Sequence, residues 1–176
     1  YDLLPKGEKT FISYCDITWN WLGGNEPSLL ETKAAIFCHY GFHPHLVNNS
    51  YSAFCKPLES NKLLLDEIKE KESFTDNWME EPLSIGLFFV NDISLIKDCL
   101  IEMIHTKNKV SNEYFPSLLF NYLSRDGINV ELFPVNSFIH YGTPSQLDDL
   151  NSWIEFSKIK KKFKITNHQT LYKSTI

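Results

Sequence analysis

The chain has 176 residues, with 17 Lys and Arg against 22 Asp and Glu and a net charge of −5, a size that suits one domain. Hydrophobic residues make up 43%, enough for a packed core, which excludes a chain disordered throughout. The mildly acidic balance argues against a general nucleic-acid binder, which needs a basic face, and no run approaches the ~18 apolar residues of a membrane span.

The chain opens on Tyr1 with no charged-then-apolar leader. No signal peptide is expected, and the start reads as a processing site or as a point downstream of further sequence. Phe11 to Tyr14 is a short apolar and aromatic run that reads as a buried strand, with Asp16 at its C-terminal end. Ala34 to Tyr40 reads as a second strand, and Gly41 to Ser50 as a loop rich in His, Pro and polar residues. Leu63 to Lys71 keeps no single period and stays open between strand and helix. Leu83 to Val90 is a dense apolar run suited to a strand buried on both faces. Gly86 within it points to close approach by a ligand or another backbone.

Ile93, Ile96, Leu100, Met103 and Ile104 fall on one helical stripe. Pro116 opens a further helix and Gly127 closes it, with Leu118, Leu119, Tyr122 and Leu123 on its apolar face. Ile128, Val130 and Leu132 alternate as in a strand. Thr143-Pro144-Ser145-Gln146 has the form of a capped helix start. The Lys158, Lys160, Lys161 and Lys162 cluster complements the negative end of that helix, which gives it a structural meaning without a membrane or nucleic acid. Residues from Ile165 onward read as a flexible tail. The alternation of strands and helices predicts an α/β sandwich with ligands at the carboxyl ends of the strands.

Cys15, Cys38, Cys55 and Cys99 are widely spaced and form no CxxC pair. They read as thiols of a reducing cytoplasm, mostly buried, since a zinc site with His39, His43 or His45 would fit no standard spacing. Asp16 is either a turn acid or a hard oxygen ligand for Mg²⁺. Lys71, within Glu70-Lys71-Glu72, is either a solvated surface lysine or a point charge for a phosphate. His43 and His45 could share a metal if their loop is extended, but no third ligand is evident, so substrate contact or loop packing is expected. Glu113 either favours a helix N-terminus or reaches into a cleft.

Four stretches together carry a family resemblance: Tyr14-Cys15-Asp16; Gly41 to His45 with Glu67 to Lys71 and Phe74 to Asn77; Ser84 to Phe89; and Asn112-Glu113-Tyr114-Phe115 with Tyr141-Gly142-Thr143-Pro144. In this order and spacing the chain resembles sugar nucleotidyltransferases of the nucleotide-sugar pyrophosphorylase type, closest to bacterial members found with capsule and surface-polysaccharide genes. The resemblance implies a Rossmann-like mixed sheet flanked by helices, shared with many glycosyltransferases. It implies transfer of a nucleotidyl group from a nucleoside triphosphate to a phosphorylated acceptor, with pyrophosphate release. Asp16 would hold Mg²⁺ and Lys71 would neutralise the acceptor phosphate, with Glu70 beside it. Gly86 would let substrate lie against the strand. Glu113 would accept hydrogen bonds from the acceptor, with Tyr114, His43 and His45 as further substrate contacts.

Two departures stand out. His140 occupies the position where many such enzymes place a second metal-binding acid, and an imidazole is a poor Mg²⁺ ligand. The family's opening glycine-rich, Arg-containing loop has no counterpart here, because Gly23-Gly24 follows Asp16 and lacks a basic residue behind it. Residues 1–164 are therefore expected to form the later part of such a domain. The isolated chain is expected to be poorly soluble, or to pair with another segment or copy. A glycosyltransferase of related fold is disfavoured, since Asp16-Ile17-Thr18 lacks the second acid of an Asp-x-Asp motif. A non-catalytic binding subunit is the remaining alternative.

Overall fold

The computed structural model describes residues 7–21, 31–44 and 52–162. The strands are β1 (Thr10–Ser13), β2 (Ile17–Trp21), β3 (Ala34–His39), β4 (Ala53–Pro57), β5 (Leu65–Glu70), β6 (Leu83–Val90) and β7 (Val130–His140). The helices are α1 (Leu95–His105), α2 (Leu119–Arg125) and α3 (Pro144–Lys162), and short 3-10 turns cover Trp78–Glu80 and Pro116–Leu118. The chain divides into two compact units, Tyr1–Phe138 and Ile139–Ile176. Among the described residues, no helix is long and apolar enough to cross a membrane.

The strands form one mixed sheet in the order β2-β7-β3-β6-β4-β5, with β1 also paired to β6. This is the α/β mixed sheet expected from the sequence. The strict alternation of strand and helix is corrected, because among the described residues no α-helix precedes β6. Most pairings are accordingly antiparallel, and β3 with β7 is parallel. A strand, β2, directly follows Asp16. The open stretch from Leu63 resolves as β5.

Every residue of β6 is buried. One of its edges takes β3 along its whole length. The other edge is divided: β1 pairs with Leu87 to Val90, and β4 with Leu83 and Ser84. Gly86 sits at the division. It adopts φ +82, and a Cβ there would stand 2.3 Å from Tyr14 Cδ2. The close approach that this glycine permits is made by the Tyr14 ring. The Tyr14 N–H also donates to Gly86 O at 2.9 Å.

One face of the sheet carries Ala34, Ile36, Phe88, Val90, Val130 and Leu132 against α1 and α2. Phe120 of α2 is fully buried and stacks on Phe88 with centroids 5.1 Å apart. Ile96, Cys99 and Met103 form the buried stripe of α1, whereas Ile104 is 46% exposed and falls outside it. The opposite face is aromatic, with Phe37, Phe54, Phe89, Phe133 and Phe138 in one cluster. Cys38, Cys55 and Cys99 are buried and Cys15 is exposed.

Local signals explain the helix ends. Gly127 at φ +78 closes α2 through Ile128 N–H to Leu123 O at 2.9 Å and Gly127 N–H to Ser124 O at 3.0 Å, the paired bonds of a left-handed C-terminal cap. In the second unit, Thr143 N–H donates to Gln146 Oε1 at 3.0 Å and Gln146 N–H to Thr143 Oγ1 at 3.3 Å. This is the reciprocal capping box expected at the start of α3. The edge strand β5 is covered by side chains of α2. Asn121 accepts from Ile68 N–H and donates to Ile68 O, both at 2.8 Å, and so supplies what a neighbouring strand would. The expected tail from Ile165 lies outside the described residues.

Gly86 and Gly127 separate two costs that alanine would meet. Both have positive φ, but nothing lies within 4 Å of a Cβ at Gly127. Gly127→Ala is expected to lose about 1 kcal/mol, from backbone strain alone. Gly86→Ala should lose about 2–4 kcal/mol, because overpacking against Tyr14 adds to that strain. Urea denaturation of both variants checks the order, and equal losses would refute the packing account.

Candidate functional site

The turn between β1 and β2 carries Tyr14 and Asp16. Tyr14 is fixed by Gly86 below its ring and by an edge contact to Phe88, with centroids 6.1 Å apart. Asp16 is half-buried in the turn itself. Burial first, then the charges of Glu70 and Asp16, raise the Tyr14 hydroxyl above its ordinary pKa. Tyr14 thus lies within the electrostatic reach of both the Asp16 turn and the end of β5.

Glu70 ends β5 and is buried. Ser117 Oγ donates to Glu70 Oε2 at 2.5 Å. Burial raises the Glu70 pKa, while the Ser117 hydrogen bond and the Lys71 charge pull it down. The next residue, Lys71, turns the chain out of the strand at φ +60, and its N–H donates to Ser52 O at 2.8 Å. Its ammonium lies 4.8 Å from the Phe115 ring centroid and 3.9 Å from Glu113 Oε2. The Glu113 side chain is 68% exposed, so this long ion pair contributes little to stability.

Glu113 is presented by a tight turn. Val110 and Glu113 exchange both backbone hydrogen bonds, at 3.0 and 2.9 Å. Ser111 and Asn112 between them take φ +50 and +65, as primed hairpin turns require. Tyr114 points elsewhere. Its hydroxyl donates to Ile104 O at 3.4 Å, and Lys109 Nζ lies 4.7 Å from its ring centroid.

The segment after Lys71 is held by Glu81. Its carboxylate accepts from Phe74 N–H at 2.9 Å, Thr75 N–H at 2.6 Å and Thr75 Oγ1 at 2.7 Å. Sequence reasoning missed Glu81 and Ser117, whose partners no local pattern announces, and it assigned Tyr14 and Phe115 only to motifs.

The histidines lie apart from this group in their contacts. His43 is buried and stacks on Phe138 with centroids 4.3 Å apart, its Nε2 3.1 Å from Phe138 O. His45 lies outside the described residues. His140 ends β7 and belongs to the second unit. Among the described residues, no group of three or more His, Cys, Asp and Glu could hold a metal ion. Mg²⁺ needs no such cage, since it keeps several waters and takes one or two carboxylates beside substrate phosphates. Asp16, a half-buried oxygen donor, fits that demand, whereas the His140 imidazole does not. A separate cleft of about 570 Å³ runs between β5 and α2. Its Asp66, Asn121 and Arg125 are already paired with Lys56, Ile68 and Glu102.

No family model matches the chain, and no curated protein does. Solved structures do. A nucleoside-diphosphate-sugar pyrophosphorylase from Vibrio cholerae RC9 aligns with a TM-score of 0.64 at 16% identity, over 80% of this chain and 55% of that one. An inositol-1-phosphate CTP transferase from T. maritima aligns with a TM-score of 0.55 at 15% identity, over 90% of this chain and 59% of that one. The chain therefore spans little more than half the length of either. At these identities the likeness establishes the fold, and at that level the resemblance to nucleotidyltransferases read from the sequence is borne out.

The Glu70 environment sets a pH dependence. A carboxyl whose folded pKa is raised binds its proton more tightly in the native state. Its stabilising contribution is full below the unfolded value and is lost as pH rises through the folded one. Gln can still accept from Ser117 and does not ionise. Relative to Glu70→Gln, the wild type should therefore lose stability as pH rises through and above the ordinary carboxylate range. Urea unfolding at several pH values checks this, and a gap that widens in the opposite direction would contradict it.

Proposed function

We propose that the chain serves in transfer of a nucleotidyl group from a nucleoside triphosphate to a phosphorylated small-molecule acceptor, a sugar phosphate or similar compound. What supports the reading is Lys71, next in the chain to buried Glu70, whose charge reaches Tyr14 of the Asp16 turn, on a fold shared with a sugar-nucleotide pyrophosphorylase and a CTP transferase. The finer reading is a cytoplasmic bacterial enzyme that supplies precursors for capsule or surface glycans.

In such a reaction an oxygen of the acceptor phosphate attacks the α-phosphorus. The bond from that phosphorus to the oxygen bridging the β-phosphate breaks, and pyrophosphate leaves with the electron pair. Positioning and charge neutralisation carry the rate, with little covalent work for the protein. Lys71 neutralises the acceptor phosphate as a compact point charge. Glu113, on its rigid turn, accepts hydrogen bonds from the acceptor's hydroxyls or amine. Asp16 is the oxygen donor for Mg²⁺, which when bound supplies charge neutralisation to the triphosphate.

The test is pyrophosphate release by the chain with each common nucleoside triphosphate, Mg²⁺ and a panel of sugar and amino-alcohol phosphates. One combination should release pyrophosphate above background, and Asp16→Asn and Lys71→Met should each lower that rate about 10²-fold or more. Acceptor binding without release under any combination would favour a non-catalytic binding subunit. Full activity in Asp16→Asn would remove the metal assignment.

A further inference from the structure

Lys71 and its neighbour Glu70 make three ties to one short segment. The Lys71 ammonium is 3.9 Å from Glu113 Oε2 and 4.8 Å from the centroid of the Phe115 ring. Glu70 takes the Ser117 hydroxyl at 2.5 Å. These ties are unequal. The Glu113 carboxylate is solvent-exposed, so water and salt screen it. The Phe115 ring packs against the core beneath α1 and α2.

The segment that offers this ring is rigid. Phe115 precedes Pro116, which restricts it to the extended φ −107 and ψ 129 it adopts. Leu118 N–H donates to Phe115 O at 3.1 Å. Ser117 is almost fully buried and is bound to Glu70. On the other side, Lys71 is anchored by its N–H to Ser52 O at 2.8 Å. An ammonium over an aromatic face is oriented without being neutralised, because the ring carries no net charge. A carboxylate in the same place would cancel the charge that an anion needs.

We infer that Phe115 is a positioning residue for the anion seat at Lys71: its ring holds the ammonium in place without neutralising it, so that the charge can serve a phosphate group. This rests on the reading of Lys71 as a phosphate-binding residue. Ser117, through Glu70, fixes the segment that carries the ring.

Inorganic phosphate, which stands in for the acceptor's phosphate group, is the probe, its binding followed by isothermal titration calorimetry on the full chain. Phe115→Met keeps the apolar bulk and removes the ring face, and Phe115→Tyr restores the face. We expect Lys71→Met to lose binding at least ten-fold, Phe115→Met to weaken it about five-fold, and Phe115→Tyr to match the wild type. Wild-type binding in Phe115→Met beside a loss in Lys71→Met would overturn this inference and leave the Lys71 reading intact. An equal loss in Phe115→Met and Phe115→Tyr would also overturn it, since the ring would not be the cause. Unchanged binding in Lys71→Met, or none in the wild type, would overturn both. A second measurement needs no Phe115 variant. In a spectrum of ¹³C-labelled lysine, the Lys71 ε-methylene, identified by its loss in Lys71→Met, should be shifted upfield by the ring, and inorganic phosphate should move that signal. A random-coil position for it would refute the contact.

Discussion

The site depends on one strand edge. Strand β6 is buried along its whole length, and its outer edge is shared by β1 at one end and β4 at the other. Two sets of candidate groups hang from that shared edge. The β1–β2 turn brings Tyr14 and Asp16, and the β4–β5 hairpin brings Glu70 and Lys71. Two segments far apart in sequence are placed in one neighbourhood because a single strand pairs with both. Where their territories meet, the strand has Gly86, and the missing Cβ lets the Tyr14 ring lie against the backbone. A side chain at that point would displace the ring and, with it, the turn that carries Asp16.

Charge in this neighbourhood is arranged by burial more than by pairing. Glu70 is nearest to Lys71 in sequence, yet burial opposes its ionisation and Ser117 occupies one of its oxygens. The Lys71 ammonium is found instead over Phe115 and at long range from an exposed carboxylate. A lysine with a buried, fully ionised partner would be committed to it, since breaking such a pair is costly. One steadied by a ring and a screened acid keeps its charge for another anion. The same logic separates Arg125 from the site. It is held bidentate by Glu102 at 2.6 and 2.8 Å and also contacts Asp126, so it staples α1 to α2 and has little charge left to offer.

What the sequence disclosed follows from the range of each interaction. β3, β6, the α1 stripe, the Gly127 cap and the Thr143 capping box are written in local periodicity or in residues three to four apart, and all were legible. β4 and β5 were not. β4 is short, and β5 carries Asp66 and Glu67 on exposed positions and Lys69 on a half-buried one, which dilutes its alternation. β2 begins directly after Asp16, in a stretch whose alternation the sequence reading did not single out. Asp16 and Lys71 stood out only as members of ordered motifs, since bare spacing left each of them open between surface residue and site residue, and Glu70 entered through the resemblance alone. Phe115 was visible only as a motif member, Ser117 acts through a partner brought close by the fold, and Glu81 bonds a loop six and seven residues back in no recognisable local pattern. His43 shows the reverse case. Its loop invited a metal or a substrate, and the structure packs the ring on Phe138, one of the two outcomes expected for it.

Gly86 illustrates how one sequence signal admits two physical causes. A glycine inside a buried strand means that something approaches closely, and the sequence cannot say whether that is a ligand or the protein itself. Here the Tyr14 ring fills the space, with a hydroxyl that burial and two carboxylates keep protonated. Among the described residues that hydroxyl has no hydrogen-bond partner. A substrate that approaches Gly86 would therefore meet an aromatic face and an uncharged donor before it reached backbone. The glycine then acts at one remove: it seats the tyrosine, and the tyrosine presents the surface.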